Sequence, residues 1–357
     1  MSTFQSSLVN RLHPYVPGEQ RHGDGVIKLN TNENPYPPSP EVMQAIATIS
    51  GDDLRRYPDP EASKLRQALA DHEGVLPSQV YVSNGSDETL GLAFMAFFTD
   101  KAPLQFPNVS YSFYPVYCDL FAIEHNPIEV NKDLSLELKN FSTDAGGICF
   151  PNPNAPTGMA VTLAEIKALL ERYTSGVVLI DEAYADFGAE SAIQLINQYP
   201  NLLVTRTFSK GRSLAGMRIG AAFANAELIS ALAAVKNSFN SYPLDAVAQA
   251  AAVASIADDE YYQSCKRKIL ATRSRLTESL ESRGFLVLPS EANFLFASPN
   301  KNSFSAGEIF TFLNKHDVLV RHWPKEPIND WLRISIGTDT ETDRLLEVID
   351  LALSDVT

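Results

Sequence analysis

Residues 205–220 read TRTFSKGRSLAGMRIG and follow directly on the apolar run NLLV at 201–204. A strand-like segment thus leads into a single lysine, Lys210, set among hydroxyls, glycines and the further cations Arg212 and Arg218. An ordinary lysine ammonium, with a pKa of about 10.4, is neutral in only roughly one molecule in 2500 at pH 7. For this amine to serve as a nucleophile, its surroundings must lower that pKa or its nitrogen must be held in a covalent bond.

The same strand-then-polar-turn pattern recurs upstream. VYVS (80–83) runs into NGSD (84–87) and a helix DETLGLAFMAFF; GGICF (146–150) runs into PNPNAPTG (151–158) and a helix LAEIKALLERY. VVLI (177–180) runs into DEAYADF (181–187), and a further helix is expected around SAIQLINQY (191–199) before LLVTRTFSK. Thr162 and Glu165 stand at capping-box spacing ahead of Leu163, Ile166, Leu169 and Leu170, which share one helical face. Short, continuously apolar strands alternating with amphipathic helices predict an α/β fold with a mainly parallel sheet covered on both faces.

Beyond residue 225 come helices at ELISALAAVKN and DAVAQAAAVASIA, then a long one from about Asp259 to Arg283, stopped by Gly284. FLVLP, ANFLFA, VLVRHW and WLRISIG read as strands, with a helix at GEIFTFLNKH and a last one capped by Thr338 and Glu341. The expected organisation is an N-terminal arm (1–40), a large domain (41–255) and a smaller α+β domain (256–357). The arm, rich in Pro and Asn around NTNENPYPPSP, should be extended, and its Leu12, Tyr15, Val16 and Ile27 suit packing rather than a free tail.

A formal charge of −14 argues against nucleic acid, which is held by clustered Lys and Arg. Cys118, Cys149 and Cys265 are an odd number without metal-like spacing, which points to buried thiols in a reducing compartment. The first twenty residues lack the apolar core of a secretion signal, and no run approaches the ~18 apolar residues of a membrane helix. A cytoplasmic protein without membrane or metal is expected.

Ligands of open α/β sheets bind beyond the carboxyl ends of the strands. Four such ends carry polar groups: NGSD, PNPNAPTG, DEAY and TFSK. Alone, each has a bland reading, such as a cap or a solvated side chain; together they can face one pocket. The helix starting near Asp87 offers N–H groups to an anion, Thr207 and Ser209 alternate so that both hydroxyls point one way, and Arg218 can add a guanidinium fork. GxxxxGK[ST], GxGxxG after a strand, GxSxG and HExxH are all absent, which weakens nucleotide, hydrolase and zinc-protease readings.

Taken together, HPYVPG, LNTNENPYP, RYPDP, SNGSDE, YSFYPVY, NPNAPTG, DEAYADF, TFSKGRSLAGMRIG, EANFLF and LRISIG resemble the pyridoxal-phosphate-dependent aminotransferases of fold type I over nearly the whole chain. Within classes I and II, PYVPG, NENPYP and RYPDP are most similar to the histidinol-phosphate branch. The resemblance implies that Lys210 holds the aldehyde of pyridoxal 5′-phosphate and moves the substrate's proton. It implies that Asp181 pairs with the pyridine nitrogen, that Tyr184 bonds the phenolic oxygen, and that Tyr111 stacks on the ring. Gly85, Ser86, Asp87, Thr207, Ser209 and Arg218 would hold the phosphate, with Tyr57 reaching it from the second subunit of a homodimer.

One departure stands out. The family's usual Asn before Pro-Thr-Gly is Ala155 here, and Asn154 is the candidate to replace it. Tyr15, Asn32, Arg321 and Arg333 would bind substrate, a phosphorylated amino alcohol in one half-reaction and glutamate or 2-oxoglutarate in the other. The competing readings are an aromatic aminotransferase, a phosphothreonine decarboxylase, and a non-catalytic cofactor-binding regulator.

Overall fold

The computed structural model describes residues 4–354 apart from 17, 22, 24 and 300–303, so Pro17 of the PYVPG motif lies outside the described residues. A six-stranded sheet carries the first part of the chain: β1 (Val80–Ser83), β2 (Leu104–Gln105), β3 (Gly147–Pro151), β4 (Val178–Asp181), β5 (Leu202–Thr207) and β6 (Gly220–Ala224). Their order across the sheet is β1-β6-β5-β4-β3-β2, with β6 antiparallel to both neighbours and the other pairings parallel.

Alternation along each strand feeds two separate cores. Ile148, Phe150, Val178, Ile180, Leu202 and Val204 pack on one side, while Cys149, Leu179 and Leu203 pack on the other. With both faces buried, every position must be apolar, which is why these strands read as continuous runs. The helix Leu163–Arg172 lays Ile166, Leu169 and Leu170 on the first core, and Thr162 and Glu165 form the expected capping box. The sequence Ser191–Tyr199 makes only one 3-10 turn, Ala192–Leu195, rather than a helix. Its N-terminus is tied down by Glu182, which accepts from the Ser191 hydroxyl and the Ala192 N–H. Gln79 then holds the Asn197 side chain.

A four-stranded antiparallel sheet follows: β7 (Leu286–Val287), β8 (Phe294–Ser298), β9 (Arg321–His322) and β10 (Leu332–Ser335), in the order β9-β10-β8-β7. The helix Asp259–Ser282 covers it with Cys265, Ile269, Thr272, Leu276 and Leu280, spaced for one face, and Gly284 takes the positive φ that ends the run. VLVRHW does not form one strand. Val318–Leu319 pairs in parallel with Ile27–Lys28 from the N-terminal segment, and Arg321–His322 joins β10. Arg21 adds hydrogen bonds to Asn314 and Asp317, so the arm is tied to the C-terminal part of the chain. Ile27 takes part in this packing, whereas Val16 is exposed.

Candidate active site

The strand register sets the site. Asp181, the last residue of β4, stands opposite Pro151 of β3 and Thr205 of β5. β5 runs two residues further, which carries Thr207, and then Ser209 and Lys210, past the sheet edge. These ends open into a cavity of about 850 Å³ whose opposite wall is built from the N-terminal segment, β9 and β10.

Asp181 is 4% exposed, so its carboxylate needs partners. Thr205 Oγ1 donates to one oxygen at 3.1 Å and Tyr114 Oη to the other at 3.2 Å. Burial outweighs these bonds and pushes the carboxyl up to about 6. Lys210 Nζ donates to the Thr31 carbonyl at 2.9 Å. Burial, with Arg333 nearby, brings its ammonium down to about 8. A lowered pKa of this kind is what an amine needs to act as a nucleophile. Tyr184 lines the same cavity, its ring centroid 5.9 Å from the lysine nitrogen.

An anion cradle lies beside them. The helix Ser86–Phe97 starts after Gly85, whose φ of +84° suits glycine. The first N–H groups of such a helix have no intrahelical acceptor. A Cβ on Gly85 would sit 2.6 Å from Arg218 Nη2, and one on Gly220 would strike the Gly85–Ser86 peptide at 2.5 Å. Both glycines thus let the guanidinium and the helix start close up. Thr207 Oγ1 and Ser209 Oγ lie 3.0 Å apart on the same wall. Asp87 uses its carboxylate to accept from Arg218 at 3.1 Å and from Tyr111 Oη at 2.9 Å. An acidic side chain cannot itself hold an anion, so Asp87 offers its backbone N–H and orients its two partners.

Arg321 and Arg333 are direct cross-strand partners in β9 and β10. Like charges placed opposite one another repel unless an anion joins them. Trp323 lies over both, with 5.4 Å from its ring centroid to each guanidinium carbon. Arg333 donates to the Asn30 carbonyl, yet its buried Nε has no acceptor among the described residues. Tyr15 lines this end and packs on Phe113.

Two expected residues are placed otherwise. Asn154 does not line the cavity: its amide donates to the Val109 carbonyl and to Thr157 Oγ1, and the cavity wall there is Ala155. The expected replacement of the missing asparagine by Asn154 is therefore corrected, because both of its N–H groups are already committed, one to Thr157 within the turn and the other to Val109 on a neighbouring segment. Asn32 lines the cavity, but its amide is engaged by Tyr184 and Ser335 rather than left for a substrate. Tyr57 is 80% exposed and stacks on Tyr242 at 4.5 Å, away from this chain's own cavity. Trp323, Thr31 and Tyr114 join the site without a motif of their own; the one sequence signal is an aromatic two residues past Arg321.

Comparison with known proteins agrees with this geometry. The family described as Aminotransferase class I and II matches residues 24–349. A histidinol-phosphate aminotransferase of Chromohalobacter salexigens is 51% identical over 98% of this chain and 99% of its own length. Histidinol-phosphate aminotransferase 1 of Hydrogenovibrio crunogenus is 49% identical over 98% of each. Among solved structures, histidinol-phosphate aminotransferase from Sinorhizobium meliloti in complex with pyridoxal-5′-phosphate superimposes with a TM-score of 0.90 at 26% identity, covering 100% of this chain and 99% of that one.

Proposed function

The chain belongs to the class I and II aminotransferases, and on that premise we propose that it exchanges an amino group between L-glutamate and imidazole-acetol phosphate, giving L-histidinol phosphate and 2-oxoglutarate in histidine biosynthesis. The observation that carries this reading is the division of one cavity into two cationic ends around a lysine. Arg218 and the helix start form one anion site, and the paired Arg321 and Arg333 form the other. A reaction joining a phosphorylated cofactor to a phosphorylated substrate needs both.

The residues fit pyridoxal phosphate. The glycine-walled cradle suits its phosphate, the buried Asp181 suits a protonated ring nitrogen, and Lys210 suits its aldehyde. When bound, the group supplies an aldehyde that takes up amine nitrogen and a ring that draws electrons from the substrate Cα. The chain's own residues do the rest. Lys210, neutral in an appreciable fraction near pH 8, takes the proton from Cα and returns it on the other side of the exchange. Asp181, ionised above about pH 6, would keep a proton on the ring nitrogen of the bound group. Arg321 and Arg333 grip the substrate phosphate through charge-assisted bonds of roughly 1.5–3 kcal/mol each, and accept the glutamate side chain in the other half-reaction.

We extend the reading to a cytoplasmic homodimer divided near residue 255, with the arm 1–40 packing on the small part and on the partner. No helix among the described residues is long and apolar enough to cross a membrane. Tyr57, Tyr242 and Phe239 are exposed aromatics, with Tyr57 stacked on Tyr242, and a second subunit would cover them. Sedimentation of a dimer that Tyr57→Ala leaves assembled but with weaker cofactor binding is the expected result.

The substrate is tested by titrating the cofactor-loaded protein with histidinol phosphate, phenylalanine and phosphothreonine while following its visible absorbance. A shift at the lowest concentration of histidinol phosphate is expected. Preference for phenylalanine would point to an aromatic aminotransferase, and carbon dioxide release from phosphothreonine to a decarboxylase.

A further inference from the structure

Asn32 sits on the cavity wall at φ +55°, 1% exposed, and four hydrogen bonds hold it. Its backbone N–H donates to Ser335 Oγ at 2.9 Å, and Ser335 Oγ donates back to Asn32 Oδ1 at 2.8 Å. Asn293 Nδ2 donates to its carbonyl at 3.0 Å, and Asn32 Nδ2 donates to Tyr184 Oη at 3.0 Å.

The directions of these bonds follow from what each group can do. A backbone N–H only donates, so Ser335 Oγ must accept from it and has one hydrogen left to give. Ser335 is 2% exposed, and among the described residues that hydrogen goes to Asn32 Oδ1. Turning the amide over would bring a second donor against the serine oxygen and strand its hydrogen in a buried place. The oxygen of the amide therefore faces Ser335, and its nitrogen faces Tyr184. Tyr184 Oη must accept there, which frees its own hydrogen for the cavity; no acceptor for it is found among the described residues.

The wall around Tyr184 gives this direction its weight. Where the family resemblance expects an asparagine donor, the methyl of Ala155 packs with Ala292 and Phe294 against the Tyr184 ring. The neighbouring Asn154 amide is spent on Val109 and Thr157. Burial pushes the Tyr184 hydroxyl above its ordinary value, while Arg333 and the Asn32 amide pull it back.

We propose that Asn32, locked by Ser335, is a positioning residue that makes Tyr184 a one-way hydrogen-bond donor into the cavity, in place of the second amide donor this chain lacks. The inference rests on the reading that pyridoxal phosphate is bound with its phenolic oxygen within reach of Tyr184. A donated hydrogen bond stabilises negative charge on that oxygen and so lowers the pH at which the bound cofactor changes colour.

The test is a spectrophotometric pH titration of the cofactor-loaded, substrate-free protein. Asn32→Ala should raise the midpoint by on the order of half to one unit, and Tyr184→Phe should raise it at least as far. The double variant should match Tyr184→Phe alone, because Asn32 acts only through that hydroxyl. Ser335→Ala, which frees the amide to turn, should move the midpoint in the same direction and serves if Asn32→Ala fails to fold. Equal shifts from Asn32→Ala with and without Tyr184, or an unmoved midpoint in both Asn32→Ala and Ser335→Ala, would overturn the proposal. A colourless wild-type protein would instead overturn the cofactor reading, and this inference with it.

Discussion

The amine of Lys210 lies 2.9 Å from the carbonyl oxygen of Thr31, a residue 179 positions earlier in the chain. Next to it, Asn34 Nδ2 donates to the carbonyls of Lys210 and Gly211, at 3.0 and 3.2 Å. The N-terminal segment thus holds the lysine at both ends, its backbone and its nitrogen. The ammonium is kept in a site where burial and Arg333 work against its charge.

Reactivity of this amine should follow that environment. In cofactor-free protein, uptake of pyridoxal phosphate at fixed concentration should rise with an apparent pKa of about 8, where an exposed lysine would rise only above 10. A stopped-flow pH profile of the absorbance change checks it. Arg333→Leu should move the profile upward, because it removes a positive neighbour.

Asp181 predicts a conflict between stability and function. Its folded pKa, about 6, exceeds the unfolded value of 3.8, so the unfolded chain releases this proton first as pH rises. Stability is lost between those values, and above pH 6 the cofactor-free protein carries a cost of about 2–3 kcal/mol from this one group. Asp181→Asn should stabilise the cofactor-free protein by an amount of that order at pH 8, with the gap closing by pH 4 in denaturant titrations. The same change should cut turnover by on the order of 10²–10³-fold, as loss of one electrostatic stabiliser does.

Trp323 lies over Arg321 and Arg333 as a shared flat face. Trp323→Ala should raise KM for histidinol phosphate by on the order of tenfold, since each partly buried cation–π contact is worth about 1 kcal/mol or more. kcat should change much less, because the lysine end of the cavity is untouched. Steady-state kinetics with both substrates separate the two effects.

Beyond the end of β4, Arg206 pairs with Glu182 at 3.2 Å and Asp186 at 2.8 Å, and the Glu182 side chain is fully buried. Arg206→Met leaves that carboxylate uncompensated and should cost about 3–5 kcal/mol of stability. Equilibrium unfolding in urea measures it.

Much of this architecture is legible in the sequence because it is local. Period-2 burial on two sheet faces, the Thr162–Glu165 cap and the polar ends of β1, β3, β4 and β5 all lie within a few residues of their cause. Lys210, Asp181 and Tyr184 are brought to one cavity because parallel strands end together. What sequence does not show depends on distance along the chain. Thr31 meets Lys210, and Asn32 meets Ser335, only after the arm pairs with Val318–Leu319. Asn154 is of the same kind: its amide is taken up by the Val109 carbonyl, 45 positions earlier, as well as by Thr157 within the turn. The segment at 191–199 has the apolar spacing of a helix, but side chains outside it fix its start and its middle.

The central claim is that Lys210 alone holds the cofactor covalently, and borohydride reduction followed by peptide mass mapping tests it most directly. Reduction should abolish the visible band and leave one pyridoxyl-phosphate mass increment per chain, on the peptide carrying Lys210. An increment on any other lysine, or none at all in protein that was coloured before reduction, would contradict the account.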